Sequence, residues 1–359
     1  MRIRVGLVGT GFAVSTQLAG FRQQGDIEVV AICSGQPERA EAAAREYNIP
    51  LAYPSFERML SDAELDLVSV AAPPSLHREL TIAAVRVGKH VLCEKPAGLN
   101  AAEAREMLAE ADRAGVVHLV DYLFRWDPAR ARMKELIEEG YLGRLYSVQV
   151  SAVHSTWADP HAELRSWLYD RASGGGALAV RGSHLIDVLH YWFGEISAVA
   201  ARIDVFVEER SVGAELQKVE MDDGLAAILE FAGGGWATIH LNASARHGPG
   251  TQFDAYGSDG TLVITADGRL LGGRRDEPRL AELEIPERLR RFPGRGLVPA
   301  FALVADTLVR AIREGAPAQP SLSDALQVHE VMEALQQSQE SRCWITLPQP
   351  HQGLAGVDN

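Results

Sequence analysis

The chain has 359 residues, 47% of them apolar and 23% charged, which is the balance of a folded globular protein and excludes disordered and fibrous classes. A formal charge of −13 argues against nucleic-acid and anionic-membrane partners, since both need a basic surface. The length suggests two domains, and no apolar run reaches the roughly 18 residues that a membrane span requires.

In chain order, Ile3–Val8 reads as a strand, 12–24 as a helix and Val29–Cys33 as a second strand. A helix opens at Pro37, a residue favoured at the first helical position. Ala52-Tyr53 is a weak third strand, followed by strands at Leu67–Ala71, His90–Cys93 and Val116–Val120, with helices near 76–86 and 101–114. These strands are continuously apolar, which predicts a parallel sheet covered on both faces, a doubly wound α/β domain over residues 1–122. From Pro128 the pattern changes: a helix at 128–139, a strand at Leu145–Val153, then Gly174-Gly175-Gly176 leading into an apolar helix that ends at Phe193. Strands at 196–207, 224–231, 236–242, 252–256 and 261–265, with turn pairs Asp223-Gly224 and Asp259-Gly260, predict an antiparallel sheet. Helices near 298–314 and 322–339 complete a second, α+β domain over 123–346, and 347–359 reads as a flexible tail.

The start, Met1-Arg2-Ile3-Arg4-Val5, runs straight into a strand and carries no signal-peptide pattern. Cys33, Cys93 and Cys343 are odd in number and far apart, which fits a reducing compartment, so a cytoplasmic location is expected. The remaining histidines show no metal-ligand spacing, so no metal is expected.

Gly9-Thr10-Gly11 stands between the first strand and the first helix, where glycines let a pyrophosphate approach backbone N–H groups at a positive helix end. The third glycine of the full motif is replaced by Val14. The second strand ends at Cys33-Ser34-Gly35-Gln36, without the acid that ordinarily holds an NAD ribose. Ser34 and Arg39 there lean the choice between NAD and NADP slightly toward NADP. The candidate cofactor contacts are Gly9, Thr10, Gly11, Phe12 and Ala13 at the first turn, and Ser34 and Arg39 at the second strand. Ala72, Pro73, His77, Glu94 and Lys95 join them at the ends of the fourth and fifth strands.

Several segments taken together are specific: Glu94-Lys95-Pro96, Ala72-Pro73-Pro74-Ser75-Leu76-His77, Gly174-Gly175-Gly176-Ala177-Leu178 and Gly182-Ser183-His184-Leu185-Ile186-Asp187. With Phe124-Arg125-Trp126-Asp127-Pro128 and Tyr256-Gly257-Ser258-Asp259-Gly260, they make the chain resemble the Gfo/Idh/MocA family, named after glucose–fructose oxidoreductase and inositol dehydrogenase. The resemblance runs through nearly the whole chain. It implies a nucleotide domain joined to an open, mostly antiparallel sheet covered by helices on one face, with a homodimer or homotetramer formed through the free face. It also implies an NAD(P)-dependent oxidoreductase acting on a sugar, cyclitol or related polyol.

By that resemblance Lys95 bridges the nicotinamide ribose and the substrate hydroxyl, and His184 is the general acid/base. The chemistry suits both residues, since imidazole titrates near neutrality and an ammonium steadies a developing alkoxide. Lys95 is also one of only four lysines beside 31 arginines. Asp187, three residues on, shares a helical face with His184 and is the candidate to orient it. Many members carry an Asp four residues before the histidine, and here that position is Val180. This departure supports a second reading, a catalytically silent cofactor-binding sensor or regulator of the same fold. Arg181 is either a contact for a substrate anion or a salt-bridged loop residue. Trp157, Arg165 and Trp167 are expected in a loop over the substrate cleft, and Tyr122 and Arg125 at the domain junction, where ligands often bind.

Overall fold

The structure is a computed structural model that describes residues 2–164, 166–213, 215–315 and 318–348. The first six strands are β1 (Ile3–Val8), β2 (Ile27–Cys33), β3 (Leu51–Tyr53), β4 (Leu67–Val70), β5 (His90–Cys93) and β6 (His118–Val120). They form one sheet in the order β3-β2-β1-β4-β5-β6, with every pairing parallel. The order reverses between β1 and β4, and that crevice is where ligands of such sheets bind. Around the sheet lie α1 (Leu18–Phe21), α2 (Pro37–Tyr47), α3 (Phe56–Asp62), α4 (His77–Arg86) and α5 (Ala101–Ala114). The expected single helix over 12–24 is instead a wide i→i+5 turn over Ala13–Gln17 continued by the short α1.

The second half is built from α6 (Pro128–Glu138), β7 (Leu145–Val153), α7 (Ser183–Phe193) and β8 (Ile196–Asp204). Then come β9 (Glu209–Val212), β10 (Glu215–Lys218), β11 (Gly224–Phe231), β12 (Trp236–Asn242), β13 (Gly250–Gly257), β14 (Gly260–Ile264), β15 (Leu270–Arg274) and β16 (Ala281–Glu282). Helices α8 (Val298–Glu314) and α9 (Leu322–Ser341) and the short β17 (Ile345–Thr346) end the described chain. Nine strands make one sheet in the order β16-β15-β14-β13-β7-β12-β11-β8-β17, while β9 and β10 form a separate hairpin. All its pairings are antiparallel except β7 with β12. Asp259-Gly260 joins β13 to β14 as expected. Asp223-Gly224 is no exposed turn: Asp223 is fully buried and pairs with the buried Arg210 at 3.1 Å.

One face of this sheet is buried and the other is not. Val148, Val150 and Ala152 of β7 point into the core, while Trp236 and Tyr256 flank Ser147 from the two neighbouring strands and are 46% and 40% exposed. Helix α8 returns to the first sheet, where Phe301 meets Phe21 edge-on at 5.0 Å, and Val304 and Leu308 join Leu7 and Ile32 in one core. Helix α9 starts with a capping box of Ser321 and Asp324, which satisfies its first free N–H groups. Of the expected tail only Leu347 and Pro348 are described. Leu347 is buried and donates its N–H to Ser197 O at 2.8 Å, so that residue belongs to the core.

Candidate active site

Gly9 directly follows β1 with φ +105°, and a Cβ there would stand 2.5 Å from Ala71 O. Only glycine lets the chain turn this closely beneath the end of β4. Thr10, Gly11 and Phe12 are partly exposed around the turn and Ala13 is buried under it. The cradle left by the missing Cβ, next to the open end of a helical turn, fits a dinucleotide pyrophosphate. At the tip of β2, Ser34 Oγ accepts the Gln36 N–H at 3.3 Å, and Arg39 is exposed on the first turn of α2. Ala72 and Pro73 follow β4 and are open to solvent. His77 is buried beneath them, with Nε2 2.8 Å from Ala72 O and Nδ1 2.8 Å from Pro96 O. It therefore braces the β4 and β5 loops against each other and does not present its ring to a cofactor.

Lys95 follows β5. Its Nζ donates to Val180 O at 2.7 Å, across the gap between the two halves of the molecule. Burial lowers its pKa to about 8, against Glu94 and Asp121, which raise it, and together with Arg181, which lowers it further. Glu94 and Asp121 occupy equivalent places at the ends of β5 and β6, whose register pairs Cys93 with Val120. Glu94 accepts from Gln17 Nε2 at 2.8 Å, and Ser69 Oγ donates to Gln17 Oε1 at 2.8 Å. Asp121 is fully buried and neither of its carboxyl oxygens has a hydrogen-bond partner among the described residues. Burial and the mutual charge push both carboxyls up, Asp121 well above the usual range. Two adjacent carboxyls out of water oppose each other's ionisation, and Lys95 beside them favours it.

His184 lies in the first turn of α7, 6% exposed. Its ring stacks on Phe124 at 4.0 Å and meets Tyr122 edge-on at 5.8 Å, and its Nδ1 has no partner. Burial, then Lys95, Arg130 and Arg181, hold its pKa well below the ordinary value, so the imidazole is neutral near pH 7. Asp187 does not orient it. Arg125 grips both oxygens of that carboxylate, from Nε at 2.9 Å and Nη2 at 2.6 Å, and also reaches Asp324 at 2.9 Å. Burial lifts Asp187 to about 6 even against this cation. Arg125 is itself 5% exposed and ties the segment after β6 to α7 and α9.

Before α7 the chain makes a second wide i→i+5 turn over Leu178–Gly182. Carbonyls there are taken by side chains: Ala179 O by Ser183 Oγ at 2.6 Å and Val180 O by Lys95. Gly176 enters this turn with φ +99°, and a Cβ would stand 2.1 Å from Asp222 Oδ1. Asp222 in turn accepts Leu178 N–H at 2.7 Å, fixing the glycine loop in place. The Val180 side chain packs against the core. Arg181 is partly exposed, donates to Thr156 Oγ1 at 2.9 Å and forms no salt bridge among the described residues. Tyr122 is fully buried with its hydroxyl unpartnered, and Trp157 is buried in the core with its carbonyl accepting from Arg210, so it does not face a ligand. Trp167 is half-buried on the turn Ser166–Tyr169. Arg165 lies outside the described residues.

The structure thus brings together Lys95, His184, Arg181, Tyr122 and the backbone of Val180. Sequence reasoning passed over Gln17, Phe124 and Arg130 as site residues. Phe124 opens the segment after β6 that carries the family resemblance, and Arg130, just beyond that segment, lies 4.6 Å over the Phe124 ring. Gln17 gave no signal, being one of three consecutive polar residues, Ser15, Thr16 and Gln17, on the turn. No group of His, Cys, Asp and Glu among the described residues could hold a metal, and no helix among them is long and apolar enough to cross a membrane.

Comparison with known proteins agrees with this geometry. Residues 3–122 match the Gfo/Idh/MocA oxidoreductase family, NAD-binding Rossmann fold, and residues 131–263 match the Gfo/Idh/MocA C-terminal domain. Levoglucosan dehydrogenase of Pseudarthrobacter phenanthrenivorans is 30% identical over 355 residues, covering 89% of each chain. 1,5-Anhydro-D-fructose reductase of Ensifer adhaerens is 33% identical over 261 residues, covering 72% of this chain and 75% of that one. The structure of a levoglucosan dehydrogenase in complex with NADH and levoglucosan superposes with a TM-score of 0.91 at 27% identity, over 98% of this chain and all of that one. The chain belongs to the Gfo/Idh/MocA family of oxidoreductases.

Proposed function

We propose that this chain, an oxidoreductase with an NAD-binding Rossmann domain, interconverts a secondary hydroxyl and a ketone on a sugar, cyclitol or related polyol. The observation that carries the reading is Lys95. It is partly exposed where the two halves of the molecule meet, beside His184, and its surroundings lower its pKa to about 8. The dehydrogenases and reductase it resembles act on sugars by name.

When bound, the nicotinamide supplies the acceptor for the hydride that leaves the carbinol carbon. The chain handles the proton. Neutral Lys95 Nζ accepts it as the substrate O–H bond breaks, because a base titrating near the working pH both deprotonates readily and retains driving force. His184, held neutral, hydrogen-bonds the same oxygen and does not carry the proton. Phe124 and Tyr122 wall the ring from water, which strengthens these contacts. In the family pattern a carboxylate stands at position 180; here Lys95 is held by the backbone carbonyl instead.

The finer choice of cofactor follows the tip of β2. With no acid after Cys33, with Arg39 exposed and with no side chain capping α2, the site favours a 2′-phosphate. Relatives crystallised with NADH leave NAD(H) as the alternative. Trp236, Tyr256 and Ile228 on the open sheet face support a second copy of the chain as its cover, in a homodimer or homotetramer, since an apolar face of this kind invites association. The silent-regulator reading rests on Val180 alone. Reduction of NAD⁺ and NADP⁺, offered separately with neutral and acidic sugars, tests the proposal. Turnover lost in Lys95→Met supports it, and cofactor binding without turnover on any sugar favours the regulator.

A further inference from the structure

Among the described residues, no carboxylate lies within hydrogen-bond reach of Arg181. One terminal nitrogen donates to Thr156 Oγ1 at 2.9 Å, and its Nε is buried with no partner among the described residues. Burial is what depresses its pKa, with no acidic neighbour to offset the effect. It stands one turn before His184, and the charge around it has one sign. Arg181 and Lys95 both depress His184, and Arg181 depresses His154, which is engaged with Thr251 Oγ1 at 2.9 Å. The acids nearest Lys95, Glu94 and Asp121, lie at the strand ends β5 and β6, and burial pushes both toward the neutral form. Val180, next in the chain, packs an apolar side chain against the core and adds no negative charge. The chain has 48 acidic residues, yet none of those described meets Arg181.

A partly exposed guanidinium with one terminal nitrogen fixed by a neighbouring hydroxyl and the other, Nη1, without a partner among the described residues presents oriented donors to a carboxylate. We infer that the sugar taken by this cleft carries a carboxylate, as a uronic or aldonic acid does, and that Arg181, oriented by Thr156, receives it. The word substrate here rests on the dehydrogenase reading; the anion site itself does not.

The test is binding, measured by calorimetry on the free protein and on its NADH complex. D-Glucuronate, D-galacturonate and D-gluconate are compared with D-glucose, D-galactose and D-glucitol. At least one acid should bind about ten- to a hundredfold more tightly than its neutral counterpart, the worth of one charge-assisted pair. Arg181→Gln should bring the two to the same affinity, and Arg181→Lys should retain part of the difference. Added NaCl should weaken the acid in the unaltered protein and leave the neutral sugar alone. Neutral sugars binding as tightly as their acids, or an advantage that survives Arg181→Gln, overturns the inference. Turnover of neutral sugars without any binding of acids sinks this inference and leaves the dehydrogenase reading standing. Tight acid binding without nicotinamide reduction does the reverse.

Discussion

Lys95 Nζ donates to the carbonyl oxygen of Val180 at 2.7 Å, so the ammonium that ends β5 is held by the wide turn that introduces His184. A backbone carbonyl fixes the position of the amine without ionising. The tuning of Lys95 therefore comes from burial and from the charges nearby.

A pH profile reads that tuning. Oxidation needs neutral Lys95, so kcat/KM should rise with pH through about 8 and level off above it, and the reverse reduction should fall over the same range. Lys95→Arg keeps the charge but cannot release a proton near neutrality; it should remove the inflection and lower kcat by about 10²–10⁴-fold. An inflection that survives Lys95→Arg assigns the proton to another group.

Two adjacent buried carboxyls that hold a single charge between them predict an unusual pattern. Glu94→Gln or Asp121→Asn alone leaves one carboxyl able to ionise, so the Lys95 inflection should scarcely move. The double variant removes the charge that sustains the ammonium, and the inflection should shift to lower pH. Equal shifts from each single change would mean that both carboxylates are ionised.

Asp187 should matter to stability and little to chemistry. Asp187→Asn leaves Arg125 with Asp324 alone, and a buried ion pair that loses one partner costs about 3 kcal/mol, read by urea unfolding. The kcat of the folded variant should stay close to the parent's, whereas a group that orients His184 would lower it sharply.

Of three thiols, only Cys343 is exposed; burial pushes Cys33 and Cys93 up to about 12. A thiol reagent should modify one cysteine per folded chain and three after denaturation, because the thiolate is the reactive form. Rapid modification of a second thiol under native conditions would contradict the packing around β2 and β5.

Much of the first sheet was legible because its signals are local. Apolar runs followed by Gly9-Thr10-Gly11 or Glu94-Lys95-Pro96 name both a strand and what hangs from its end. The short α3, the β9–β10 hairpin and the edge strands β15, β16 and β17 were not legible, since a few polar residues at a sheet edge carry little periodicity. At the site, spacing placed Asp187 on the face of His184 correctly, but its partner comes from 62 residues away. No pattern along the chain foretells that Arg125 claims it. The same holds for Trp157, an aromatic in an expected loop that the core absorbs, and for Asp223, whose turn-like neighbour Gly224 conceals a buried pair with Arg210. Arg181 is the converse case: that no acid among the described residues meets it became visible only once the fold was in place.

The account turns on Lys95 as the group that takes the substrate proton. The most direct measurement follows the near-ultraviolet band of reduced nicotinamide in single turnovers of the unaltered protein and of Lys95→Met, each saturated with cofactor and with a sugar that the unaltered protein oxidises. The account predicts a rise in the unaltered protein and a rate reduced by at least about 10²-fold in Lys95→Met, with cofactor affinity little changed. Equal rates in the two proteins would contradict it.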